Sequence, residues 1–323
     1  MQTAWGWLPA IYLFLGGLGA GALLIATLFE FYGDRDRHDF FPITLAGATV
    51  SGPLLILGTL LLIFDLGAGR REPWRILYMF THFSSVMTWG VWLLTLFIPV
   101  ALTYGFLEIL DTFPAARQWL RDRRWLRWTA FLWDLPLRRT RRIFAGVGAV
   151  LAVGIAVYTG VLLSAVGPAI PLWSTPLFPG IYLPLMPLLF LVSALSTADA
   201  LTVDILATLF ARGRFPYSRR THLVHLVLIT VEALLISHLL LHAFGEGGAA
   251  AESARQIVLG QHAPVFWVFI ILLAIIFPLV GHIYAAGLGW HMLASGLSSG
   301  ISILLSGLFL RYLILVSGVP AFL

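Results

Sequence analysis

Long apolar runs separated by short polar stretches dominate the chain. Eight runs cover roughly residues 8–32, 43–66, 83–107, 143–166, 181–211, 221–244, 264–286 and 293–317. Each is about the length a helix needs to cross the hydrocarbon core of a bilayer, ~20 residues. The pattern predicts eight transmembrane helices, and the start of the last is loosened by Gly287, Gly289, Gly296 and Gly300. The uncharged, proline-rich stretch VGPAIPLWSTPLFPGIYLPLMP favours turns and rigid extended backbone between the fourth and fifth runs. The expected fold is therefore all-α: a polytopic membrane protein whose eight helices form two four-helix bundles, residues 1–166 and 167–323. No internal sequence repeat relates the halves.

One polar stretch breaks the pattern. Between Ile63 and Trp92 a carboxylate (Asp65), three arginines (Arg70, Arg71, Arg75), His82 and the hydroxyls of Ser84, Ser85 and Thr88 are pressed between two apolar runs. Burying such groups in a membrane is expensive, so they point to function. The stretch reads as one wall of a quinone site at a membrane face.

Composition agrees with the class. Hydrophobic residues make up 59% and charged residues 11% of the chain, and the mean hydropathy is +0.93. The first run lacks a basic flank and is too long for a signal core, so it is expected to be a true span. There are no cysteines, which removes thiolate-ligated iron–sulphur clusters, thiolate zinc sites and disulphides. There are no lysines either, so the net charge of +5 rests on arginine. In a membrane protein that excess reports orientation, not nucleic-acid binding. Fifteen of the twenty arginines fall in the loops after runs one, three, five and seven. The positive-inside rule then places both termini outside, in the periplasm if the membrane is a bacterial inner membrane.

The long loop 108–142 carries Arg117 to Arg127 interleaved with Trp119 and Trp125. It reads as an amphipathic helix on the anionic inner leaflet, with a docking site as the other reading. In run one, Gly17 with Gly21 and Gly16 with Ala20 form small-residue faces for close helix packing.

Topology sorts the ionisable residues by depth. Tyr12 lies about one turn into run one, Asp65 ends run two and His82 begins run three. Tyr158 lies about 12 Å short of the outer end of run four at 1.5 Å per residue. These four fall at similar depth near the outer face, which suits a quinone with two carbonyls and two protons to exchange. Each also has a plain structural reading: a belt tyrosine, a carboxylate paired with Arg70 or Arg75, an interfacial histidine and a satisfied buried tyrosine. Deeper in the chain, Ser193, Ser196, Asp199 and Thr202 make a polar stripe at spacing three, Asp204 follows, and Glu232 falls mid-run. Asp199, Asp204 and Glu232, with Arg75 near the outer face, are candidates for a proton route. The alternative is a set of buried carboxylates held by serine or histidine. Histidine pairs such as His82 with His238, or His225 with His282, loosely meet the geometry of a b-type haem.

YLFLGGLGAG (Tyr12–Gly21), DLG followed by arginines and SSVMTWGVW (Asp65–Trp92), YTGVLLS (Tyr158–Ser164), PLWSTPLFP (Pro171–Pro179) and LVSALSTADA (Leu191–Ala200) together resemble the NrfD/PsrC family. The similarity is spread over runs one to five and is weak beyond them. It implies an eight-helix anchor without haem that binds menaquinone or ubiquinone near the periplasmic face. It further implies an iron–sulphur (ferredoxin-like) partner and a molybdopterin catalytic subunit on that side, so this subunit itself carries no metal. Tyr12 and Tyr158 match the family's headgroup-contacting positions. Tyr12 stands where the polysulphide reductase subunit has histidine, and Pro9 stands near the place of an asparagine. Asp65 and His82 match its proton-handling positions. Two other functions compete with the quinone-reactive anchor: an ion- or proton-translocating subunit built on Asp199 and Glu232, and a haem b anchor.

Overall fold

The structure, a computed structural model, describes residues 6–32, 37–65, 73–122, 137–178, 180–210, 219–288 and 293–321. Among the described residues eight helices are long and apolar enough to cross a membrane: Trp7–Tyr32, Phe41–Asp65, Val86–Thr112, Leu137–Ser164, Leu185–Ala207, Leu223–Glu246, Ala263–Gly281 and Gly296–Val316. They are numbered here as spans one to eight. Helices suit such a sequence because every backbone polar group is satisfied within the segment. The face where span one begins and span eight ends is the near face; the other is the far face.

Spans one to four pack in a ring, each against the next and span four against span one; spans five to eight do the same. The two groups meet where span one lies against spans five and eight, and spans two and four against span five. Small residues permit this approach. A Cβ at Gly21 would fall on the carbonyl of Ala194 in span five, so the two backbones touch there. Hydroxyls tie other spans together: Ser51 donates to the Gly19 carbonyl at 2.7 Å, and Thr27 to the Ala145 carbonyl at 3.2 Å.

Several boundaries differ from the sequence expectation. Span five starts at Leu185, because Ile181–Pro184 forms a strand antiparallel to Pro176–Phe178. Gly180 lies in the connecting turn at φ 83°, a conformation open mainly to glycine. This hairpin departs from a purely helical chain, and its prolines explain it, since Pro184 is held extended just before the helix. At the far face span three runs on to Thr112, a short helix covers Pro114–Asp122, and span four begins at Leu137. The expected arginine-rich amphipathic helix is seen only through Asp122, since residues 123–136 lie outside the described residues. Its Arg117 seals the end of span three by donating from Nε to the Leu110 carbonyl at 2.8 Å.

Arg141, expected in the loop 108–142, and Arg311 are buried side chains of spans. Arg141, at the start of span four, makes contacts of 2.8 Å with Glu30, 3.0 Å with Glu108 and 2.6 Å with Asp111. Arg311 lies within span eight and is fully buried. Neither therefore reports loop charge.

At the near face, the stretch after span six is a helix, Gly248–Val258, that buries Ala250, Ser253, Ala254 and Ile257. The C-terminal end locks onto this layer: Val319 N donates to Ser253 Oγ at 2.9 Å, and Ala321 N to the Ala169 carbonyl at 2.9 Å. Trp173, fully buried, donates from Nε1 to the Ile314 carbonyl at 2.9 Å.

Candidate functional site

Tyr12 sits five residues into span one, about 8 Å along the helix, and Tyr158 sits six residues before the end of span four, about 9 Å. The two share one apolar cluster with Leu61, Leu62, Val86 and Leu162. Tyr12 is buried and Tyr158 half-buried. Tyr158 and Asp65 both act electrostatically on the Tyr12 hydroxyl. Asp65 itself is exposed at the last turn of span two. Three of the four residues singled out from the sequence thus gather beneath the near face.

Glycines set this geometry. A Cβ at Gly90 of span three would overlap the Cζ, Oη and Cε1 atoms of Tyr158, so the phenol lies directly on the bare backbone of that glycine. On the other side, a Cβ at Gly58 of span two would stand 3.4 Å from the Tyr12 carbonyl oxygen. Only Tyr158 is therefore held against a neighbouring span by a residue without a side chain; at Gly58 the approach is to the Tyr12 backbone and is an ordinary contact. Gly90 lies inside the SSVMTWGVW segment, but sequence alone did not show what it faces.

His82 does not join the pair in the same way. It is exposed, and its Nδ1 is engaged by its own turn, 3.1 Å from the Tyr78 carbonyl and 3.3 Å from Thr81 Oγ1. Arg75 belongs to the 3-10 segment Pro73–Phe80 at the near face, and its side chain lies outside the described residues, as do Arg70 and Arg71.

The second polar group lies in spans five, six and eight. His225, in the first half of span six, is buried between two carboxylates: Nδ1 is 2.7 Å from Asp199 Oδ2 and Nε2 is 3.1 Å from Asp204 Oδ1. Asp199 and Asp204 are five residues apart. In an α-helix that spacing turns the second side chain about 140° away from the first. Here the helix widens into a π-helix over Ala200–Ala207, whose i→i+5 bonding brings the fifth residue back over the first. The polar stripe expected at spacing three therefore stops at Asp199, and Asp204 joins the same face.

Seven residues further along span six, Glu232 lies close to Ser193 and Ser196 of span five and to Arg311. Arg311 Nη1 donates to Ser193 Oγ at 3.1 Å and to the Gly307 carbonyl at 2.8 Å. Its guanidinium carbon lies 5.6 Å and 5.5 Å from the rings of Phe14 and Phe190, an arrangement that favours a buried cation. Sequence reasoning placed Asp199, Asp204 and Glu232 in one group, with serine or histidine as the alternative holders, but did not single out His225 or Arg311 as their partners. The signal for His225 was its i, i+7 relation to Glu232 on one helix face.

Of the histidines weighed for haem, His225 is held by these carboxylates, and His238 Nε2 lies 3.2 Å from the Pro176 carbonyl at the hairpin. The side chain of His282 lies outside the described residues. Among the described residues no group of three or more His, Asp or Glu is arranged to hold a metal ion.

The eight membrane-length helices among the described residues define a polytopic helical membrane protein. Residues 1–322 match the family model described as "Polysulphide reductase, NrfD", and the protein belongs to the NrfD family. It is 30% identical over 320 residues to the C subunit of the polysulfide reductase of Wolinella succinogenes, covering 98% of this sequence and 94% of that protein. It is 30% identical over 331 residues to Protein NrfD of Escherichia coli, covering 98% and 95% respectively. A Protein NrfD homolog of Haemophilus influenzae is 27% identical over 292 residues, covering 88% of this sequence and 84% of that protein.

Proposed function

We propose that this protein is the membrane subunit of a respiratory oxidoreductase complex and that it oxidises or reduces a quinone between Tyr12 and Tyr158. The observation that carries the reading is the meeting of two tyrosines from different spans in one apolar cluster, with Asp65 beside them at the membrane edge. An apolar cluster suits a quinone ring and its isoprenoid tail, and phenol hydroxyls donate hydrogen bonds to its carbonyls. A bound menaquinone or ubiquinone would supply two-electron chemistry that the side chains of this protein lack. Asp65, exposed at the end of span two, exchanges protons between the site and water. His82, exposed nearby, serves the same exchange.

A relative named as one part of polysulfide reductase supports membership in a multi-subunit enzyme. In this reading an iron–sulphur, ferredoxin-like subunit docks at the near face and passes electrons to or from a molybdopterin subunit. The near face is periplasmic and the membrane is a bacterial inner membrane. The arginine bias supports that orientation even without Arg141 and Arg311. Asp199, Asp204 and Glu232 are the candidates for a proton route.

Tyr158→Phe and Asp65→Asn test the site. Each should abolish quinone turnover while the complex still assembles with its partners. Wild-type turnover in both variants would refute the assignment.

A further inference from the structure

Span four is longer than the hydrocarbon layer is thick. Its 28 residues extend about 42 Å, against about 30 Å of hydrocarbon. The surplus puts about four residues at each end at headgroup depth, so at the far face Arg138 and Arg139 lie there, with Arg142 at the lower edge. Tyr32, at the same end of span one, is largely exposed and marks that level as interfacial aromatics do.

The arginines that open span four divide by direction. Arg141 turns inward onto Glu30, Glu108 and Asp111. Arg138, Arg139 and Arg142 fall within an arc of about 100° of the helix circumference. Arg138 and Arg139 are exposed, and Arg142 is half-buried with Nε 3.9 Å from Glu30 Oε1. Among the described residues, these three and Ile143 border an open recess of about 530 Å³. That is within the size range of ligand sites.

Toward the bilayer centre the same side of the helix becomes apolar. Ile143, Val150 and Val153 follow the arginines and are exposed at 56%, 75% and 42%. A cationic recess over an apolar stripe matches one molecule in both halves: an anionic headgroup with hydrocarbon chains beneath it. A free anion would use the upper half alone, and so would an acidic segment of a soluble protein.

We propose that Arg138, Arg139 and Arg142 bind the headgroup phosphate of an anionic phospholipid, with an acyl chain lying along Ile143, Val150 and Val153. Guanidinium groups suit this ligand because their planar forks grip phosphate oxygens in pairs. The site lies at the opposite membrane face from Tyr12 and Tyr158 and is independent of what binds there. Arg142 and Arg141 both reach Glu30 of span one, so bound lipid braces the joint between spans one and four.

The test is lipid retention by the full chain in native mass spectrometry, after release from micelles holding phosphatidylglycerol and phosphatidylcholine in equal amounts. The wild type should retain phosphatidylglycerol about tenfold or more in preference. Each arginine at an anionic headgroup is worth about fivefold in affinity, so the Arg138→Gln, Arg139→Gln double variant should bind phosphatidylglycerol about 25-fold more weakly. Its retention of phosphatidylcholine should not change. Arg255→Gln, which removes an exposed arginine at the near face, should bind as the wild type does. If the double variant fails to fold, Arg139→Gln alone carries the test, with a loss of about fivefold. Equal retention of the two lipids by the wild type, undiminished phosphatidylglycerol binding in the folded variant, or an equal loss in Arg255→Gln overturns the site. Displacement of the lipid by inorganic phosphate at the same concentration also overturns it, since the recess would then be a free-anion site.

Discussion

Gly90→Ala is a sharp probe of the tyrosine pair because it adds one methyl at the point where Tyr158 has no room. Every atom nearest to the added Cβ belongs to the Tyr158 ring or its hydroxyl, and all of them overlap it. Restoring ordinary carbon contact, about 3.5–4.0 Å, requires the phenol to retreat by roughly 1.5 Å. Overpacking of this kind costs about 1–3 kcal/mol. The functional cost is larger, since a displacement of about 1 Å in a reacting group lowers rates by roughly 100-fold. Gly146→Ala is the matched control: its Cβ meets nothing nearer than Phe31 Cζ at 4.0 Å, so it should leave turnover and melting temperature near wild type. The assay is quinone turnover by the assembled complex, with Tyr158→Phe and the double variant completing a cycle. If the glycine acts through the phenol, Gly90→Ala should add little to Tyr158→Phe. Wild-type turnover in Gly90→Ala, or fully additive losses in the double variant, would refute the reasoning.

Other outcomes follow from the buried charges and the near-face layer. Arg141→Met leaves Glu30, Glu108 and Asp111 facing one another, and should cost about 3–5 kcal/mol in thermal unfolding of the detergent-solubilised protein. Arg311→Met strands Glu232 and should lower the melting temperature strongly, whereas Arg311→Met with Glu232→Gln should recover most of the loss. Trp173→Phe removes one buried hydrogen bond, leaves the Ile314 carbonyl unpaired, and should cost about 1–3 kcal/mol by the same measurement. Gly21→Val would drive a side chain into the Ala194 carbonyl and should separate span one from span five, seen as loss of folded protein in the membrane fraction.

Where apolar length decided the matter, sequence and structure agree: eight runs became eight membrane-length helices. The tyrosine pair was legible for a similar reason, because alternating spans fix depth and depth brought Tyr12 and Tyr158 to one level. What escaped depended on local geometry or on facing partners. The helix Gly248–Val258 has its buried Ala250, Ser253, Ala254 and Ile257 at helical spacing, but alanine and serine make a weak apolar signal. Span five starts late because Pro184 is kept extended by the hairpin. Asp204 aligns with Asp199 only because the helix widens, and no hydrophobic period announces a π-helix. Arg311 falls inside the last apolar run, and nothing in that run's pattern shows that its head packs over Phe14 and Phe190.

The stitch made by Val319 and Ala321 has a consequence for proteolysis. Two backbone bonds and the cover that Gly318 gives to the Trp173 ring are concentrated in four residues. A carboxypeptidase that trimmed past Gly318 would uncap Ser253 and Ala169 together and bare a large indole to water. This short strap acts as a keystone, and its removal should be felt across the whole roof of the second helix group.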